Sequence, residues 1–248
     1  MHQNRPDSGA EGSSPIARQL VDESGRPVCK IIFEGAELVG KSTLTSATYQ
    51  RLVHEYTTSN EILDGCYYLY CDIGVFSTPL ARDYLYHMAK IIELMRRCNV
   101  VVDKFHLADE VYQAEYRGIT VAHRWVEHEI LRPLDTRLVL VTVDAEHLEQ
   151  RLEQRLRSDP HYALIQKPLD FYLRMQQRYQ QAIEQTTLAW MRVDGARPVE
   201  ENVTEVLAWA GMPTFAPQPR IAPDAACQEA SAGSDGYGDS GDAGDAGA

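Results

Sequence analysis

Long apolar runs are missing from this 248-residue chain. No stretch approaches the ~18 consecutive apolar residues that a membrane-spanning helix needs, and the opening MHQNRPDSGAEGSSP lacks the apolar core of a secretory signal. A cytoplasmic protein with no membrane partner is the expectation. Basic charge is also scarce: 24 Lys and Arg stand against 36 Asp and Glu, a net charge of −12. Six acids and one base from Pro213 onward contribute −5, and the first 27 residues contribute −1, which leaves −6 on the body between them. Duplex affinity comes mostly from clustered Lys and Arg, so nucleic acid is not expected as the main partner. Paired cysteines are lacking too. The five, at 29, 66, 71, 98 and 227, show neither zinc spacing nor a CxxC motif, which points to reduced, mostly buried thiols.

Hydrophobic residues are sparse at both ends, where Gly, Ser, Pro and Asp dominate and cannot bury enough apolar surface to offset ordering entropy. This sets a disordered arm over 1–27, a domain over 28–212 and a disordered, acidic, Gly/Ala/Asp-rich tail over 213–248. Within the domain, strand-like runs alternate with helical patterns, the signature of an α/β fold with a parallel sheet flanked by helices. Five strands are expected: Cys29–Phe33, Cys66–Cys71, Asn99–Val102, Arg137–Val143 and Trp190–Val193. Helices are expected over Lys41–His54, Thr78–Arg97, His106–Tyr116, Ala122–Leu131, Ala145–Arg157, Pro168–Thr186 and Pro198–Ala210. The run VVVD is apolar until Asp103, as suits a central strand whose C-terminal end opens into a site.

The strongest motif is Gly35-Ala36-Glu37-Leu38-Val39-Gly40-Lys41-Ser42, followed by Thr43, a full match to G-x-x-x-x-G-K-[ST] between an apolar strand and a helix. The glycines let backbone N–H groups point at phosphate, Lys41 bridges terminal phosphates and the Ser42 hydroxyl ligates magnesium. A P-loop NTPase fold that binds ATP with Mg2+ is expected.

Phe33-Glu34-Gly35 through Thr43 resembles the opening of thymidylate kinases. Val102-Asp103-Lys104-Phe105 through Gln113, with Arg117-Gly118, resembles that family's D-R-Y segment and its A-Y-Q continuation. Leu169 through Tyr179 resembles the helix after the family's lid, and Trp190 through Pro198 its closing strand and adenine-side loop. The resemblance covers Cys29 to about Ala210. It implies a deoxynucleoside monophosphate kinase: ATP gives its γ-phosphoryl group to a pyrimidine dNMP such as dTMP, and the family is commonly homodimeric. Such a reaction asks for alignment and charge neutralisation rather than covalent chemistry.

By this resemblance Lys41, Lys104 and the lid arginines Arg151, Arg155 and Arg157 supply positive charge, and Asp103 joins Ser42 at magnesium. Asp194, Ala196 and Arg197 lie on the adenine side. Tyr86 and Lys90 match the aromatic and cation that meet the acceptor base, and Tyr112 the tyrosine under its sugar. Other readings stand beside these. Arg151, Arg155 and Arg157 equally suit a solvated face paired with Glu149 and Glu153, and Tyr86 and Tyr112 suit core packing. Three departures lie near the acceptor: Glu37 for a loop aspartate, Lys104 for the D-R arginine and Lys90 for the base-edge arginine. The chain uses 19 Arg and only 5 Lys, so the two lysines are not compositional habit. Asp109 falls where the family places Asn or Thr against the pyrimidine. A deoxynucleoside kinase with Asp72 as general base is the alternative enzyme, and a non-catalytic nucleotide-binding regulator the alternative outside catalysis.

Overall fold

The structure is a computed structural model that describes residues 20–57, 65–71, 73–159 and 161–215. All elements below lie in the first of two compact units, Met1–Thr214. In chain order they are β1 (Lys30–Glu34), α1 (Lys41–Tyr56), β2 (Cys66–Tyr70), α2 (Ala81–Leu94), β3 (Asn99–Asp103), α3 (His106–Arg117), α4 (Arg124–Val126), β4 (Arg137–Thr142), α5 (Ala145–Ser158), α6 (Tyr162–Ile165), α7 (Leu169–Ile183), β5 (Ala189–Asp194) and α8 (Val199–Trp209).

The five strands form one parallel sheet in the order β2-β3-β1-β4-β5. β1 and β3 are buried at every position, KIIFE and NVVVD, because strands covered by helices on both faces leave water no access. The register Phe33↔Asp103 and Glu34↔Leu140 brings the ends of β1, β3 and β4 level. In α1, Lys41, Leu44, Thr45, Thr48, Leu52 and Tyr56 are buried at helical spacing, and the helix packs on α8, β2 and β3. The thiols of Cys29, Cys66 and Cys71 are buried and free, and Cys98 is half-buried and free.

Four expected boundaries are corrected. The helix expected from Thr78 starts at Ala81, since Ser77 has φ +60° and Pro79 withholds a backbone donor, and it ends at Leu94 rather than Arg97. The helix expected over Ala122–Leu131 is helical only at α4 and then widens into a π turn over Glu127–Leu131, with the Glu127 carboxylate turned inward. A short helix, α6, stands where none was expected. Leu20–Pro27, assigned by composition to the arm, forms a turn: Val28 N–H donates to Leu20 O at 2.9 Å, Asp22 accepts from Ser24 and Arg26, and the Arg26 guanidinium lies 4.6 Å from the Tyr56 ring centroid. Local Asp22 hydrogen bonds, invisible to composition, make the difference. The remaining arm and nearly all the tail lie outside the described residues. Among the described residues no helix is long and apolar enough to cross a membrane.

Candidate active site

The phosphate loop runs from the end of β1 to the first residue of α1. Its backbone needs what its sequence supplies: Gly35 has φ +149° with an ideal Cβ only 2.6 Å from Val141 O, and Gly40 has φ +86°. Leu38, at φ +67°, takes the left-handed region without a glycine. Lys41 begins α1 and is buried; its ammonium forms an ion pair with Asp103 at the end of β3. Tyr68 on β2 donates to the other Asp103 oxygen at 3.4 Å. Burial pulls the Lys41 ammonium below the ordinary lysine range, as does the neighbouring Lys104, while Glu34 and Glu37 hold it up.

Beyond Asp103 the backbone turns sharply. Lys104 has φ +63°, and Phe105 sits at φ −154°, ψ −132° before α3 begins. Lys104 N–H donates to Phe33 O at 3.0 Å, and Phe105 N–H donates to Glu34 Oε1 at 3.0 Å. Glu34 is fully buried, its Oε2 has no geometric hydrogen-bond partner among the described residues, and burial pushes its carboxyl up to about 7 against the pull of Lys41, Lys104 and the Phe105 and Ala108 backbone amides.

On the acceptor side, three of the expected residues converge. The Lys104 ammonium lies 5.8 Å from the Tyr112 ring centroid, and Tyr112 OH donates to Glu37 Oε1 at 3.5 Å. Tyr112 stacks on Tyr116 with centroids 5.7 Å apart, so it is at once a packing and a site residue. Burial depresses the Lys104 ammonium, with Glu37 and Glu34 opposing.

Asp109 is differently occupied. Its Oδ1 accepts from Ser77 N–H at 2.7 Å, its Oδ2 pairs with His123 Nε2 at 2.7 Å, and Gln113 approaches Oδ1 at 3.5 Å. A base N–H expected at this carboxylate therefore meets oxygens already taken. Tyr86 and Lys90 do meet, the ammonium 5.8 Å from the ring centroid, but Lys90 pairs with Glu93 at 2.8 Å and Tyr86 packs beside Trp125. Tyr86, but not Lys90, lines a groove of about 290 Å³ together with Arg82, Asp83, Trp125 and Glu129. Asp72 lies outside the described residues.

On the other side of the loop is an open cleft of about 420 Å³ lined by Leu38, Gly40, Thr43, Arg151, Arg155 and Gly195, among others. Arg151 and Arg155, four apart on α5, share this face as their spacing requires. Arg151 is not a free lid cation. Its guanidinium donates to Leu38 O at 2.9 Å and to Gly195 O at 2.6 Å, strapping the phosphate loop to the turn after β5. Arg155 pairs with Asp159 at 3.2 Å and lies 5.4 Å from the Tyr162 ring centroid, where the chain folds back through α6 and Tyr162 OH meets Tyr172 OH at 2.7 Å. Arg157 is exposed and pairs with Glu153 at 3.4 Å, as the solvated-face reading expects. In the turn after β5, Asp194 accepts from Ala196 N–H at 2.8 Å, and Arg197 is drawn to Glu205 and Glu201 on α8.

Sequence reasoning passed over four residues here. Glu34 was legible as a carboxylate closing an otherwise apolar strand, and Gly195 as the glycine of a D-G-A turn. His123 had no signal, because its partners Glu110 and Asp109 lie 13 and 14 residues away, and Glu127 had only Arg124 nearby, its other partners lying 21 to 60 residues away.

The donors at the loop suit magnesium. Ser42 offers a hydroxyl and Asp103 a carboxylate, both hard oxygens, and Mg2+ takes one or two protein oxygens alongside substrate phosphates.

The thymidylate kinase family model matches residues 80–206, from the start of α2 into α8. The chain belongs to the thymidylate kinase family. It is therefore an ATP-dependent nucleotide kinase, and the matched segment holds the Asp103–Lys104 turn, α3 and the arginines of α5. The phosphate loop precedes that segment and carries its own motif. Among solved structures, the YorR protein from Bacillus subtilis in complex with phosphorylated GDP is similar at a TM-score of 0.53 and 15% identity, over 73% of this chain and 95% of that one. That likeness is one of fold. A sugar kinase from Janibacter sp. gives a TM-score of 0.45 at 13% identity, over 75% of this chain and 96% of that one. A deoxyadenosine kinase from M. mycoides with bound dCTP gives 0.45 at 13% identity, over 73% and 98%. No curated protein matches.

Proposed function

We propose that this thymidylate kinase family member transfers the γ-phosphoryl group of ATP to a pyrimidine deoxynucleoside monophosphate such as dTMP. The observation that carries this reading is the meeting of Lys104, Tyr112 and Glu37 beside the Lys41–Asp103 pair. A phosphate acceptor is already an anion, so no general base has to remove a proton; what the site must supply is alignment and positive charge.

In this reading the loop backbone from Gly35 to Thr43 cradles the ATP phosphates, Lys41 leaves Asp103 for the terminal phosphates, and adenine lies in the cleft beside Arg151 and Gly195. Ser42 and Asp103 would hold Mg2+, which would supply neutralisation of phosphate charge. Lys104 faces the acceptor phosphate as a point charge, without the two-pronged fork of an arginine. Tyr112 and Glu37 address the sugar, with the tyrosine ring placed against a 2′-hydroxyl. Asp109 acts through its hold on Ser77 and His123 rather than by touching the base. Tyr86 and Lys90 retain a base-side role only if the groove beside Trp125 takes part of the acceptor. Arg155 turns from Tyr162 to the transferred group as the lid closes and excludes water. A cytoplasmic homodimer agrees with this reading, with α2 as the shared helix: Leu80, Tyr86 and Leu94 are exposed on or beside it.

The test is ADP release from Mg2+–ATP with each deoxynucleoside, deoxynucleoside monophosphate and ribonucleoside monophosphate, guanine compounds included because of the nucleotide in the YorR complex. Products are identified by mass. Transfer to a pyrimidine dNMP is the expected result. Transfer to nucleosides alone would shift the reading to a nucleoside kinase, with Asp72 examined next as base, and no transfer at all would refute catalysis on these acceptors.

A further inference from the structure

Two buried carboxylates flank the Asp103–His106 turn, and they are satisfied very differently. Glu127, on the π turn, receives His106 Nε2 at 3.0 Å, Thr186 Oγ1 at 2.8 Å, Thr187 N–H at 2.8 Å and Thr187 Oγ1 at 2.9 Å, besides the Arg124 guanidinium. Every oxygen is in use, as expected of a group whose work is to hold the fold together. Glu34 has Oε1 on Phe105 N–H, faces the Ala108 backbone amide as well, and leaves Oε2 without a geometric hydrogen bond among the described residues. A bare buried acceptor costs ~1–3 kcal/mol, a cost that an apolar residue at the end of β1 would not carry.

The backbone that Glu34 holds is itself unfavourable. A lysine at φ +63° costs on the order of 1–3 kcal/mol unless neighbours over-determine it. Phe33 O fixes the Lys104 N–H and Glu34 fixes the next one, so consecutive residues of β1 clamp consecutive amides of the turn. With both clamps in place the Lys104 ammonium lies 5.8 Å from the Tyr112 ring centroid.

We propose that Glu34 is a positioning residue for acceptor phosphorylation: by holding Phe105 N–H it keeps Lys104 in a strained backbone that aims it beside Tyr112 and Glu37. The inference rests on the acceptor-side reading above. What matters is the reach of the carboxyl oxygen to the amide, not the negative charge.

Two conservative variants separate reach from charge. Glu34→Gln keeps a carbonyl oxygen at the same distance and removes the charge. Glu34→Asp keeps the charge and withdraws the oxygen by one methylene. With the preferred acceptor, Glu34→Gln is expected to keep acceptor kcat/KM within about threefold of the unaltered protein. Glu34→Asp is expected to lose about a hundredfold, the scale of a 1 Å misplacement, with the KM for ATP unchanged. Equal activity in the two variants, the reverse order, or a loss that raises both KM values together would overturn the inference. Both variants preserve volume and a polar head, and thermal unfolding checks that each is folded. An unaltered protein that phosphorylates no acceptor would instead refute the function reading and remove this inference with it.

Discussion

Adding one methyl group at Gly195 should damage ATP use severely. An ideal Cβ there would lie 2.0 Å from Val39 O and 3.0 Å from Val141 Cγ1. Contacts below 3.0 Å do not persist, so the Val39 carbonyl, or the turn carrying residue 195, must move by at least about 1 Å. The closest atom, Val39 O, is backbone, so no side-chain rotation relieves that clash. Val39 is fully buried, two residues before Lys41, and Gly195 is itself held by a bond from its N–H to Thr142 O at 2.8 Å and by Arg151 on its carbonyl. The displacement therefore passes into the phosphate loop. For Gly195→Ala we expect a loss of about a hundredfold in kcat/KM for ATP, the scale of a 1 Å error in alignment, and ~1–3 kcal/mol of overpacking seen as a lower Tm. The assay is ADP release at saturating acceptor over a range of ATP, beside a thermal melt. Gly118→Ala is the control: φ is +64° there but no atom lies within 4 Å of the added carbon, so ~1–2 kcal/mol of backbone strain should appear in the melt and nothing in the kinetics. A Gly195→Ala protein with ordinary ATP kinetics and an ordinary Tm would refute the reasoning.

Arg151→Met removes both bonds of the strap and should raise the KM for ATP by about tenfold or more while leaving the acceptor KM near its normal value; equal effects on both would contradict the strap. Glu127→Gln should be a stability mutation. Burial pushes this carboxyl up, but the bonds from His106, Thr187 and Thr186 outweigh burial and leave it at about 2, against about 4.5 when unfolded. The deficit of the variant, of order 3 kcal/mol, should be full above about pH 4.5 and fade as pH falls toward 2, where the native glutamate takes up a proton; a deficit independent of pH would show that charge is not the cause. Glu34 has the opposite sign. Its carboxyl is raised to about 7, so the unaltered protein should lose stability as pH rises from about 4.5 to 7, and chemical denaturation of Glu34→Gln should show a flatter profile over that window. Lys41→Ala should abolish transfer and, because it leaves the buried Asp103 carboxylate without its partner, also lower Tm; normal turnover would remove the loop from the reaction.

The sheet was legible because each strand is a short apolar run between turn residues, and the five observed strands differ from expectation by one or two residues at their ends. Lys41 and Asp103 were legible for a different reason: the chemistry of phosphate fixes the loop's composition, and an aspartate closing VVVD has to face the open end of the sheet. What the sequence hides is the partner of each charge. Nothing local tells that Arg151 reaches Leu38, 113 residues away, or that Asp109 faces His123 instead of solvent. Helical spacing placed Tyr86 beside Lys90 correctly, yet spacing says which residues share a helix face and not which cavity that face meets. The π turn at Glu127 was beyond reach of periodicity altogether, because a single buried carboxylate with distant donors overrides the helical pattern there.

The central position of β1 has an evolutionary consequence. Lys104, Asp109 and Tyr112, proposed for the acceptor, come from chain between Cys66 and Arg117, on the β2–β3 flank, while the ATP cleft is built from the loop and from chain after Arg137, on the β4–β5 flank. The two flanks share the strand that carries the phosphate loop, and they also touch where Glu115 on α3 pairs with Arg174 and Arg178 on α7. New acceptors can thus be acquired by rewriting one contiguous stretch of about fifty codons, with the ATP machinery inherited unaltered on the other side.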